Sequence, residues 1–109
     1  MHNGTLVLAL SLAVVVLLPG CGERPAVRTH RIEIKGMAYA ILEVTAEPGD
    51  TVVWVNHDIV PHTVTADGKQ FDSGRLAPSA EWALVVRERG RLPYTCTFHP
   101  TMKGVLVVK

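Results

Sequence analysis

From residue 31 to the C-terminus the apolar side chains never keep a helical spacing of about 3.6 over three turns; they alternate with polar ones in short runs broken by Gly and Pro. That pattern constrains the fold more than any other feature of the chain. Ile32 and Ile34 alternate with charged residues, and Leu42, Val44 and Ala46 with Glu43 and Thr45, as in strands with one buried face. Glu47-Pro48-Gly49-Asp50 carries the Pro and Gly of a chain-reversing turn. In the next run Val52, Trp54 and Asn56 share one face and Val53 and Val55 the other, so a central strand is expected. Ala80, Trp82, Leu84 and Val86 alternate again, and residues 92–96 and 105–108 make further strands. Residues 67–78, with Gly68, Gly74 and Pro78, read as a loop with a short extended piece at 70–72. The expectation is an all-β sandwich.

A chain of 109 residues holds one such domain at most, and 11 basic against 10 acidic side chains argue against a nucleic-acid partner chosen by charge. Residues 6–18 are an almost unbroken apolar run, shorter than the roughly 20 residues of a membrane-spanning helix and of the length of a signal-peptide core. Leu18-Pro19-Gly20-Cys21 follows and resembles a bacterial lipoprotein cleavage site, in which Cys21 becomes the lipidated first residue. The residues before the apolar run lack Lys and Arg, and Pro19 is unusual there; a conventionally secreted or an uncleaved, N-terminally anchored protein are the alternatives. The expected organisation is a lipoprotein-type signal peptide at 1–20, lipidated Cys21 and a linker at 21–29, and the domain at 30–109. Residues 23–29, with Pro25 and no apolar periodicity, reach only ~25 Å when extended at about 3.3 to 3.6 Å per residue, so an anchored domain stays near its membrane outside the cytoplasm, as in a periplasm.

With Cys21 committed to lipid, Cys96 is an unpaired thiol in an exported protein, a condition that needs a reason. A Cys21–Cys96 disulfide is the plain alternative, since Tyr94-x-Cys96 and Trp54 resemble the tyrosine corner and buried Trp of immunoglobulin domains; but Cys21 abuts the leader, with no strand-like alternation around it. Metal ligation supplies another reason. The run Tyr-Thr-Cys-Thr-Phe-His-Pro-Thr-Met at 94–102 offers a thiol, an imidazole and a thioether at Cys96, His99 and Met102 within one tight turn. Thiolate and thioether favour the cuprous ion and imidazole binds both oxidation states, so one Cys, two His and a long axial Met suit copper. His62, stiffened by Pro61 and followed by an apolar β-branched stretch, completes that set. Singly, a buried Cys, a turn His and a core Met would be unremarkable; the combination carries the reading.

These residues, with Gly-Asp-Thr-Val-Val-Trp-Val-Asn-His-Asp-Ile-Val-Pro-His-Thr-Val from Gly49, resemble the cupredoxins, the blue type 1 copper proteins, over about residues 32–109. The short ligand turn is similar to that of amicyanin; plastocyanin and azurin separate the ligand His and Met further. The resemblance implies a Greek-key sandwich of seven or eight strands and one type 1 copper per chain. It implies Cys96 as equatorial thiolate, His62 and His99 as imidazole ligands, and Met102 as weak axial ligand. Asn56 matches an asparagine that fastens the ligand loops near the sulfur; its plain alternative is a strand-ending turn residue. Met37 aligns with a position close to the copper, where a strand-end core residue is the safer reading. Pro61 and Pro100 adjoin the ligand histidines, and with Val60 and Phe98 would form an apolar docking patch unless Phe98 points into the core. His57, His30 and His2 are read as bystanders, and Arg87, Arg89 and Arg91 as a solvated face away from the metal.

The function expected from this resemblance is one-electron transport by a monomer, without catalysis. Its partners would be redox proteins: a cytochrome c, a dehydrogenase, a reductase or an oxidase. Copper storage or delivery is the rival, but would favour open, exchangeable ligation. Copper oxidases on this fold need further histidines and a second domain, and a metal-free adhesive sandwich would stay colourless in copper.

Overall fold

The computed structural model describes residues 2–18, 20 and 26–109; Cys21 and most of the expected linker lie outside the described residues. Seven strands follow in order: β1 (Thr29–Ile34), β2 (Glu43–Ala46), β3 (Thr51–Asn56), β4 (Thr65–Ala66), β5 (Glu81–Val85), β6 (Gly90–Cys96) and β7 (His99–Val108). No helix among the described residues is long and apolar enough to cross a membrane.

The strands form two sheets, β1-β3-β5 and β2-β7-β6-β4. Every connection but the last changes sheet, which is why β1 lies parallel to β3 and β2 parallel to β7. Only the β6–β7 hairpin stays within one sheet, and it carries Cys96 and His99. The registers Thr29↔Thr51, Thr51↔Val85 and Gly90↔Val108 put the start of β1, the β2–β3 turn and the β5–β6 turn at one end of the sandwich. Asn56, Cys96 and His99 lie at the other, roughly 20 Å away along β6 at about 3.3 Å per residue.

The alternation expected from the sequence becomes the core. Ile32, Ile34, Val44, Ala46, Val52 and Trp54 are buried, and Leu106 and Val108 meet them from β7. Trp54 packs edge-on to Tyr94 at a centroid distance of 5.5 Å and tilted against Trp82 at 5.6 Å, arrangements that aromatic quadrupoles favour. β3 is the middle strand of its sheet, as its two apolar faces require. Leu42 departs from expectation: β2 begins only at Glu43, and Leu42, just ahead of it, is 69% exposed.

The turn before β3 closes with Asp50 N–H donating to Glu47 O at 3.0 Å, and Gly49 takes φ 96, the left-handed value a Pro-Gly turn needs. Asp50 is buried there, and its carboxylate accepts from Glu47 N–H, from His30 Nε2–H and from Arg28 N–H. Those bonds, in that order of weight, hold the Asp50 carboxyl down at about 2. His30, read as a bystander, is thus part of the clamp that fixes the entry of the chain onto β1.

Gly104 faces Tyr94 across β6 and β7, and a Cβ there would sit 2.4 Å from the Tyr94 ring. The ring is walled in, so it cannot swing aside. Gly104→Ala is therefore expected to destabilise the fold by about 1–3 kcal/mol, seen as a melting temperature lower by roughly 4–8 °C per kcal/mol. An unchanged melting temperature would show that the sheet yields at this pair.

Candidate metal centre

Cys96 and His99 pair across the β6–β7 hairpin, with Thr97 and Phe98 as its turn and a register shift between Thr95 and Cys96. The Cys-x2-His spacing is therefore a two-residue hairpin turn that brings sulfur and imidazole to one side. Beyond it, Met102 begins the inward series Met102, Gly104, Leu106 and Val108 and belongs to the same core cluster as Cys96. His62 comes from the β3–β4 connection, where its backbone pairs with Leu76 through bonds of 3.1 and 2.8 Å. Its side chain is fully buried.

The donors converge. Cys96 Sγ lies 3.8 Å from His62 Nδ1 and 3.7 Å from His99 Nδ1, and the three donor atoms all fall within 4.8 Å of one another. Cys96 is fully buried, and its sulfur accepts Thr63 N–H at 3.3 Å. A soft sulfur between two imidazole nitrogens, with a thioether in the same cluster, fits the trigonal His2Cys arrangement that copper takes in blue sites. His99 is the half-buried one of the two imidazoles.

Asn56 is fully buried, and its amide donates to Val60 O at 2.9 Å and Leu76 O at 3.0 Å while accepting Asp58 N–H at 2.9 Å. It thereby joins the segment ahead of His62 to the strand fragment that pairs with His62. Pro61 is half-buried and Pro100 exposed; Phe98, at 48% exposure, faces solvent rather than the core. Met37 is 43% exposed in a left-handed loop conformation at φ 59, not the core residue expected. His57 lies exposed beside Glu33 at 3.4 Å.

Three side chains at the site escaped the sequence reading. Thr63 Oγ1 accepts Thr97 N–H at 2.8 Å and lies 3.1 Å from Thr97 Oγ1, tying the His62 segment to the hairpin turn. The only trace in the sequence is a Thr following each of His62 and Cys96. Asp58 accepts from His62 Nε2–H at 2.8 Å and from Gly36 and Met37 N–H at 2.7 and 3.0 Å. Burial works to raise the Asp58 carboxyl, but the Met37, His62 and Gly36 bonds together outweigh it and hold it below the usual carboxylate range. An acid four residues before the buried His was the available signal.

A two-sheet sandwich with a thiol, two imidazoles and a thioether gathered at one end defines a copper-binding β protein. The family described as copper binding proteins, plastocyanin/azurin family, matches residues 26–109, and the chain belongs to that family. It is 32% identical over 83 residues to amicyanin of Paracoccus versutus and 33% identical over 88 residues to amicyanin of Paracoccus denitrificans. Each match covers 72% of this chain but only 63% of the relative, so the chain spans less than two thirds of their length. Amicyanin-alpha of Methylorubrum extorquens is 32% identical over 92 residues, with 80% of this chain and 76% of the relative covered. The crystal structure of Paracoccus versutus amicyanin superposes with a TM-score of 0.67 at 30% identity, covering 74% of this chain and 81% of that one. A mutant amicyanin with Cu(I) gives 0.69 at 29% identity over 74% and 82%.

Proposed function

We propose that this chain is an exported type 1 copper protein that carries single electrons between redox partners, in which Cys96 would hold the metal as thiolate, His62 and His99 as imidazoles and Met102 as a weak thioether ligand. The observation that carries it is the buried Cys96 sulfur flanked by two Nδ1 atoms at 3.8 and 3.7 Å. Bound copper supplies a centre that gains or loses one electron. The chain holds the donors in place beforehand: the hairpin fixes Cys96 and His99, the Leu76 pairing fixes His62, and Thr63 and Asn56 fasten the segments together. Pre-set donors keep rearrangement small in either oxidation state. His62 is enclosed, whereas half-buried His99 lies beside exposed Phe98 and Pro100, so the apolar ground of Val60, Pro61, Phe98 and Pro100 is where a partner docks and the electron leaves. Thr95, ahead of the Cys, offers no aromatic second route. A cytochrome c, dehydrogenase, reductase or oxidase has the chemistry of such a partner, and the protein acts as a monomer without catalysis. The test is the visible spectrum of the oxidised copper-loaded protein together with its voltammetry. An intense thiolate-to-copper band and a reversible one-electron wave without metal loss are expected; a colourless protein, or metal lost on reduction, overturns the reading.

We further infer that residues 1–20 are a lipoprotein signal and that Cys21 carries the lipid, holding the domain on the outer face of a membrane. β1 enters the sandwich at the end opposite the donors, which supports an anchored domain presenting His99 away from the bilayer. Cys21→Ala is expected to leave unprocessed precursor without acyl groups. A mature wild-type chain beginning at Cys21 but free of acyl mass would count against the lipid.

A further inference from the structure

We propose that Asp58 is the positioning residue of the metal centre: its carboxylate takes the Nε2–H of His62, so that Nδ1 is turned to the Cys96 sulfur, and its negative charge favours the oxidised state. This rests on the copper reading above and names what tunes the site. Several features converge on the carboxylate. His62 is fully buried and the Asp58 side chain only 13% exposed, so their 2.8 Å bond is shielded from water. Gly36 and Met37 are consecutive residues in the left-handed region, at φ 63 and φ 59, and their N–H groups both point at the carboxylate. Successive N–H groups so arranged form an anion-binding concavity. Met37 adopts this conformation without a glycine's freedom, at a conformational cost that a held anion compensates. The Asp58 backbone is itself fixed by the fully buried Asn56.

The charge is not spent elsewhere. Among the described residues His62 is the only basic side chain within ion-pair distance of Asp58; the neighbouring His57 pairs with Glu33 instead, and no Lys or Arg reaches the carboxylate. A carboxylate on the far nitrogen of a ligand imidazole fixes its tautomer and raises its basicity. A more basic imidazole, with a negative charge behind it, stabilises cupric over cuprous copper and lowers the reduction potential.

Asp58→Asn keeps the size and one acceptor oxygen for His62 but removes the charge. The full-length variant, loaded with copper, is expected to keep the intense thiolate band. Its oxidised-to-reduced equilibrium should shift toward the reduced state about tenfold, which is about 59 mV for a one-electron couple. A folded, coloured variant whose potential matches the parent overturns the proposal, whereas a colourless parent overturns the copper reading itself. Asp58→Ala, which also removes the acceptor, is expected to lower copper affinity about 10–100-fold. The parent decides the matter even where a variant does not fold. Nitrogen NMR of the diamagnetic Cu(I) form should show His62 protonated on Nε2 with that proton protected from exchange. Protonation on Nδ1, or a freely exchanging Nε2 proton, refutes the assignment.

Discussion

Cys96→Ser is expected to abolish the intense visible absorption of the copper-loaded protein while leaving the sandwich folded. The band requires a thiolate bonded to cupric copper, and Cys96 supplies the sulfur at which His62 and His99 Nδ1 converge. A serine hydroxyl is a harder, far less acidic donor that does not satisfy a metal chosen for soft ligation. The fold has little reason to object. Cys96 is fully buried at the end of β6, and the smaller Ser Oγ still accepts the Thr63 N–H that the sulfur accepts now. Measured without copper, the variant should lose no more than about 1–2 kcal/mol, the scale of one weakened buried hydrogen bond. Measured with copper, the gap should widen, because a ligand bound only by the native state adds about 2.7 kcal/mol at a hundredfold excess over its dissociation constant. Absorption and thermal melts with and without copper separate these effects. A variant that keeps the strong band would remove Cys96 from the ligand set.

The strands and the donor residues were legible for different reasons. A strand packed on one face prints a period of two, so Ile32, Ile34, Val44, Ala46, Val52 and Trp54 announced themselves as core. The same rule failed at Leu42, which carries the period one residue ahead of the start of β2 and stays exposed. The sequence pattern starts β7 near residue 105, whereas the strand begins at His99, since Pro100 and Gly104 interrupt an alternation in which Met102 and Gly104 are still buried. β4, two residues long, left no periodicity at all. At the site, soft donors at short spacing spoke through their chemistry. What lies behind each donor did not, because it depends on loops that meet only after folding. The N–H groups that hold Asp58 come from Gly36 and Met37, more than twenty positions away in the chain. Thr63 and Thr97 are further apart still, 34 positions along the chain. A single exposed-looking acid or hydroxyl carries no mark of such a partner.

Asn56→Ala is expected to be among the most damaging single changes in the chain and to disturb the copper site as well as the fold. The amide is fully buried and satisfies Val60 O, Leu76 O and Asp58 N–H at once. Alanine leaves Val60 O and Asp58 N–H without their partner, takes from Leu76 O one of its two donors while His62 N–H still reaches it, and opens a small void among them. One unsatisfied buried group costs about 1–3 kcal/mol, and some water entry offsets the sum. A loss of about 3–5 kcal/mol is therefore expected against a total of roughly 5–15 for a domain. At roughly 4–8 °C per kcal/mol, the melting temperature should fall by about 15 °C or more. Asn56→Asp separates hydrogen bonding from shape, since it has the same outline and keeps the acceptor for Asp58 N–H. A carboxylate has no proton for Val60 O or Leu76 O and sets a charge against two carbonyl oxygens, so it should be about as harmful as alanine. The spectroscopic consequence follows from the chain path: Leu76 pairs with the His62 backbone, and Val60 lies two residues before it. With Val60 released and Leu76 no longer tied to β3 through Asn56, His62 should sample more than one geometry, and the visible band should broaden and weaken. If Asn56→Asp melts within a few degrees of the parent and keeps a sharp band, the amide protons are dispensable and Asn56 serves only to fill space.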